Sequence, residues 1–124
     1  MDSILDSTKK VLGIDPSYTA FDVDIIMHIN STFSKLLQLG IGPVEGFMIE
    51  DKVPTWSVFL GVASTPLNNV KSFMYLSVRL LFDPPTTSYA IQAFERQVDE
   101  LAWRINAHRE EVEHPWTVPP VILG

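Results

Sequence analysis

The sequence predicts an all-α fold: a small bundle of about four to five helices with an extended proline-rich C-terminal tail. Three observations carry this. Apolar residues recur at spacings of three and four in successive windows, the signature of one buried helix face. Glycine- and proline-containing turns separate those windows. Finally, Val78-Arg79-Leu80-Leu81-Phe82-Asp83-Pro84-Pro85 closes one long apolar helix and sets the angle of the next. Proline lacks an amide proton and disfavours helical geometry in the residue before it, so the helix should stop near Phe82 at a stiff corner. Arg79 and Asp83, four apart, are placed to pair across that corner.

The first helix spans Ser3 to Leu12, with Ser3 as cap and Asp6 reaching back in a capping-box arrangement. Ile4, Leu5, Thr8, Val11 and Leu12 form its apolar stripe. Gly13 stops it and Asp15-Pro16 turns the chain. The second helix, about Ala20 to Gln38, takes Thr19 as N-cap, and Asp22 and Asp24 suit the positive end of its dipole. Phe21, Ile25, Ile26, Ile29, Phe33, Leu36 and Leu37 make one face. Val23 and Met27 widen it, which predicts cover on more than one side.

Residues 39–46 carry Gly40, Gly42, Pro43 and Gly46, which is loop chemistry. Phe47-Met48-Ile49 has room for a brief strand. Thr55 caps a single helical turn, Trp56 to Leu60, ended by Gly61. Glycines and prolines around aromatic residues predict a compact, self-packed loop.

Pro66 suits the first turn of the third long helix, about Leu67 to Phe82. That helix is apolar almost all round, so it should be the central element. Ser88 caps the last helix, Tyr89 to about Arg109. Ile91, Phe94, Val98, Leu101 and Ile105 keep helical spacing there, and Glu100 and Arg104 stand in the favourable order for an ion pair. Trp103 falls off this stripe. It belongs either under the loop of residues 39–65 or on a neighbouring subunit.

The chain of 124 residues fits one helical domain, residues 1–112, followed by a tail, residues 113–124. With no cysteine, disulfides, zinc–thiolate sites and a cysteine nucleophile are excluded. The net charge is −6, from fifteen acids and nine bases. An acidic chain without a basic run is poorly suited to gripping phosphate backbones. Charges within Met1 to Lys10 argue against a signal peptide. The longest apolar run falls far short of a membrane span.

Few residue sets carry chemistry. Asp24 and His28 share a helix face, but Asp22 points elsewhere and no second histidine stands at ligand spacing. Dipole-favouring acids and a surface or interface histidine explain the trio better than a metal does. Gly40-Ile41-Gly42 follows a helix and lacks the third glycine and the lysine of a phosphate loop. Phe73, Met74, Tyr75, Trp56 and Trp103 suit a core better than a ligand pocket. Neither a cofactor nor a catalytic or metal site is expected.

The tail differs. Prolines forbid a helix from Glu113 to Gly124, yet the segment is too apolar for a solubilising end. Extended, twelve residues span roughly 37 Å, against a radius of gyration of about 14 Å for a domain of this length. Pro115, Trp116, Val118, Pro119, Pro120, Val121, Ile122 and Leu123 are therefore the candidate docking residues. Each large apolar side chain gains roughly 1.5–3 kcal/mol on burial. Ordering each backbone unit costs about 1–2 kcal/mol, less where proline already restricts it. One tail binds marginally, whereas many tails on one closed ring bind firmly.

Several stretches carry a resemblance. Phe21-Asp22-Val23-Asp24-Ile25-Ile26-Met27-His28-Ile29-Asn30, Gln38-Leu39-Gly40-Ile41-Gly42-Pro43, the corner Val78 to Pro85, and Glu100-Leu101-Ala102-Trp103-Arg104 are similar to segments of a phage family. It comprises the small helical head–tail connector (adaptor) proteins of long-tailed double-stranded DNA bacteriophages and their prophages. The likeness covers residues from about 2 to 107, and the corner is its most specific part.

The resemblance implies a non-enzymatic virion protein at the head–tail interface, present in the host cytoplasm during assembly. It implies a homo-oligomeric ring, commonly dodecameric, beneath the portal protein. Such a ring extends the DNA channel and offers a platform to the next neck or tail component. It also implies that the C-terminal extension docks on the portal. Packaged DNA passes through without specific binding, which the acidic balance suits, and Asp22 and Asp24 are candidate lumen acids. The neighbouring reading is a stopper or tail-completion protein of the same neck. A small helical DNA-binding regulator is more remote, because Arg96, Arg104 and Arg109 are interleaved with acids and make a poor recognition helix.

Overall fold

The structure is a computed structural model that describes residues 3–61 and 67–113, with side chains through residue 110. Its five helices are α1 (Ile4–Val11), α2 (Asp22–Gln38), α3 (Trp56–Leu60), α4 (Leu67–Phe82) and α5 (Ser88–Glu113). The described residues contain no strand; a lone antiparallel bridge joins Ser3 to Thr55. Pro66 lies outside the described residues.

α4 is central, packed against α1, α2 and α5. Val70, Phe73, Met74 and Val78 fill the core from α4, and Ile25, Ile29, Phe33 and Leu36 from α2. Each such side chain contributes roughly 1.5–3 kcal/mol on leaving water. α5 lies along the other side of α4. Phe94, Val98 and Leu101 are half-buried there and Ile105 is fully buried.

Caps explain the helix starts. The Ser3 hydroxyl accepts from the Asp6 amide at 3.2 Å, and the Thr55 hydroxyl accepts from Val58 at 3.4 Å. Two expected caps shift. α2 begins at Asp22 with Phe21 at the N-cap and no side-chain cap bond. Thr19 instead closes a preceding turn through its carbonyl, which accepts from the Asp22 amide at 3.2 Å. In α5, the hydroxyl of Thr87 rather than Ser88 accepts from the Ala90 amide, at 3.1 Å. α5 also runs on through Glu113, four residues past the expected end. No proline interrupts it before Pro115.

Between α2 and α4 the described residues, 39–61, pack upon themselves as expected. Phe33, Phe47 and Phe59 form a mutual ring cluster with centroids 4.6–5.1 Å apart. Trp56 joins it edge-on and donates its indole N–H to Ser7 Oγ at 3.0 Å, tying the segment to α1. No strand forms at Phe47-Met48-Ile49. The Asn30 side chain satisfies that backbone instead: its Oδ1 accepts from the Ile49 amide at 2.8 Å, and its Nδ2 donates to the Ile49 carbonyl at 3.0 Å. An amide side chain thus replaces a strand partner and pairs both backbone groups of Ile49.

Two glycines fix how this segment closes. Gly40 and Gly42 have φ of 80° and 92°, a region that side-chain-bearing residues avoid. A Cβ at Gly42 would fall 2.5 Å from Phe59 Cε1, and one at Gly40 would fall 2.6 Å from Arg109 Cδ. The Gly-Ile-Gly sequence is thus a packing device, with Ile41 buried between the two glycines.

Candidate partner-binding surface

At the corner, the last helical bond of α4 runs from the Asp83 amide to the Arg79 carbonyl at 2.9 Å. Pro84 and Pro85 follow with no amide to give, and Thr87 opens α5. The expected Arg79–Asp83 pairing is replaced. The Arg79 guanidinium lies over the Phe94 ring, 5.2 Å from its centroid, and so ties α4 to α5 across the corner. Its Nε is buried without a hydrogen-bond partner. A cation held on an aromatic face is stabilised by the ring quadrupole, by about 0.5–2 kcal/mol depending on desolvation.

Asp22 and Asp24 part company. Asp22 Oδ1 lies 2.8 Å from Lys9 Nζ, a charge contact rather than an aligned hydrogen bond. Lys9 is fully buried and also donates to the Pro16 carbonyl at 2.9 Å. Asp24 is exposed and makes no such contact. Among the described residues no cluster of three or more histidine, cysteine or acidic side chains is arranged to hold a metal, and His28 packs edge-on to Phe82 instead. No described helix is long and apolar enough to cross a membrane.

Beside Asp24 is a groove of about 510 Å³ between the α1–α2 loop, α2 and the end of α4. Phe21, Leu81 and Phe82 form its apolar floor, with Asp24, His28 and Asp83 among them. Tyr18, Phe21 and Phe82 stack in series there, 5.7 and 5.5 Å between centroids. Val23 and Met27 on α2 are 81% and 59% exposed, so the second cover expected for that helix does not come from the described chain. A further groove of about 420 Å³ runs between α4 and α5, lined by Tyr75, Leu76, Leu101 and Arg104 among others. Arg104 Nη2 donates there to Glu100 at 2.7 Å, the pair expected from their spacing.

Trp103 is 70% exposed and Tyr89 76% exposed, both on α5. Trp103 is thus neither a core residue, as expected with Phe73, Met74, Tyr75 and Trp56, nor covered by the 39–65 loop. The docking residues expected in the tail, Pro115, Trp116, Val118, Pro119, Pro120, Val121, Ile122 and Leu123, lie outside the described residues.

Two residues escaped the sequence reading. Lys9 follows Leu5 by one helical turn, and that spacing was the available sign of a buried lysine. Tyr89 stands fourteen residues before Trp103, an interval that puts both on one side of a helix.

Fold and surface together define a small all-α protein whose unpartnered chemistry is apolar surface edged with charge. The chain belongs to the phage connector protein family, whose model matches residues 4–112. No curated protein and no solved structure matches the chain.

Proposed function

We propose that this protein is a head–tail connector subunit that assembles as a ring beneath the portal of a packaged phage head. There it extends the DNA channel and presents a platform to the next neck component. Family membership over residues 4–112 carries this reading. It is supported by a helical body with large apolar residues left outside its core, and by a net charge of −6, which suits a passage that must not hold DNA. The ring is taken to be a dodecamer in the virion, and the segment after α5 is its clip to the portal. Trp116, Val118, Val121, Ile122 and Leu123 supply the apolar contact, and proline lowers the entropic cost of ordering it. Ring multiplicity turns marginal single contacts into firm attachment.

Removal of residues 114–124 tests this reading, because the cut spares α5, which ends at Glu113. The truncated protein should keep its helical circular dichroism and fail to join DNA-filled heads. Normal assembly of the truncated chain would show that the clip lies elsewhere. Photo-cross-linking from position 116 then identifies the direct neighbour, portal or next neck component.

A further inference from the structure

A third groove, of about 410 Å³, opens between the end of α2 and the 43–48 loop. Phe33, Leu37, Phe47 and Met48 line it, and Glu45 is the charged residue among its lining. Met48 is 72% exposed and the neighbouring Val44 93%, so no described part of the chain covers this face.

The end of α5 lies close by. Arg109 packs against Gly40, where a Cβ would fall 2.6 Å from its Cδ. Leu37 stands three residues before Gly40, about 5 Å of helical rise, and Glu113 stands four residues after Arg109, about 6 Å. Residues 114–124, extended as their prolines favour, span roughly 34 Å. They are long enough to cross the groove. The groove beside Asp24 is beyond their range, because it sits at the opposite end of α5, about 39 Å from Glu113. The groove beside Tyr75 is in range, but Ser72, Gln97, Glu100 and Arg104 line it with polar groups.

The chemistry matches as well as the reach. The segment carries Pro115, Pro119 and Pro120 among Trp116, Val118, Val121, Ile122 and Leu123, with no acidic side chain, lysine or arginine. Proline-rich segments dock in aromatic-lined grooves because their backbone is extended beforehand and loses little entropy. Phe33 and Phe47 supply aromatic walls here, and the Met48 thioether suits contact with an aromatic edge. A tethered segment also meets its groove at an effective concentration in the millimolar range, far above that of a dilute second copy.

We infer that, in a subunit not yet attached to its portal, residues 114–124 lie in the groove between α2 and the 43–48 loop of the same chain. Their apolar side chains then rest against Phe47 and Met48. The contact stands on reach and composition. Its purpose rests on the clip reading above: the clip is sheathed on its own body until the portal competes for it.

Dilute full-length protein provides the test. A photo-cross-linking residue at position 48 should capture residues 114–124 within one chain, whereas the same residue at position 89, at the far end of α5, should capture none of them. In wild type the amides of Val118, Val121, Ile122 and Leu123 should be protected from hydrogen exchange. The V44D/M48D variant, altered only at exposed positions, should exchange them about tenfold faster or more, because the segment loses its apolar contact. Circular dichroism checks that the variant keeps its fold.

Tail amides that exchange as fast in wild type as in the variant, with no capture from position 48, overturn the inference. Capture between two chains overturns the same-chain arrangement. The clip reading is judged separately. If the chain lacking residues 114–124 still joins heads while capture and protection are seen in the full chain, the sheath stands and the clip falls. If that chain fails to join heads and neither signal is seen, the clip stands and the sheath falls.

Discussion

Lys9 is buried with its ammonium 2.8 Å from Asp22 Oδ1, so one charge pair joins the end of α1 to the start of α2. The Pro16 carbonyl completes the arrangement from the intervening loop. Three segments thus converge on one nitrogen, and the loop bearing Tyr18 and Phe21 is held against α4.

The two partners should respond unequally to mutation. D22A leaves an ammonium buried against a single carbonyl and should cost about 3 kcal/mol, the lower end for breaking a buried pair, since Asp22 is partly exposed. K9M replaces the buried charge by an apolar chain of similar length and leaves a carboxylate that water can reach. It should cost less than D22A. Denaturant unfolding of both variants checks the order.

Arg79 and Phe94 give a second test. Because the guanidinium lies over the ring rather than against Asp83, F94L should destabilise the fold by about 1–2 kcal/mol, combining lost cation–π attraction with lost packing. D83N should change stability by no more than about 0.5 kcal/mol, as for a surface substitution. Thermal unfolding separates this from an ion-paired corner, in which D83N would be the costly change.

The two loop glycines should differ as well. G42A forces a Cβ against the buried Phe59 ring and should cost about 3 kcal/mol or more, with backbone strain added to overpacking. G40A meets only the flexible Arg109 side chain, which can swing aside, so the backbone strain of about 1–2 kcal/mol remains. Chemical denaturation of the pair checks the gap.

Asp15 supplies a pH-dependent prediction. Its side chain accepts from the Ser17 hydroxyl at 2.6 Å and from the Ser17 amide at 2.8 Å. These bonds, the hydroxyl first, hold its carboxyl below its usual value. A lowered folded pKa gives a contribution present above the unfolded pKa and lost as pH falls through the folded one. The turn should therefore loosen only on the acid side. In an NMR titration, S17A should move the Asp15 midpoint up towards the ordinary carboxylate value.

Much of the fold was legible because it follows local rules. The cap at Ser3, the single turn opened by Thr55 and the stop at Phe82 before Asp83-Pro84 all follow from side chains acting within a few residues. So does the Glu100–Arg104 pair. What was not legible depends on partners distant in the chain. Asn30 binding the backbone of Ile49 looks in sequence like a polar residue amid an apolar helix. The burial of Lys9 depends on where Pro16 and Asp22 come to rest. Arg79 chose between a carboxylate four residues on and an aromatic ring fifteen residues on, and only the angle of the corner decides that. The surface was half legible: Trp103 stood off its stripe, in keeping with its exposure on α5, whereas the groove beside Asp24 is lined from the α1–α2 loop, α2 and the end of α4, segments that only the fold brings together.

The Pro84–Pro85 bend has a mechanical consequence. α5 extends 26 residues beyond it, about 39 Å, so it acts as a lever whose pivot is the proline pair. A misalignment of about 5° at the pivot would carry the far tip roughly 3 Å sideways, as much as two residues of helical rise. In the clip role proposed above, whatever follows Glu113 takes its aim from the opposite end of the helix, from two rings that cannot flex and one guanidinium held over Phe94.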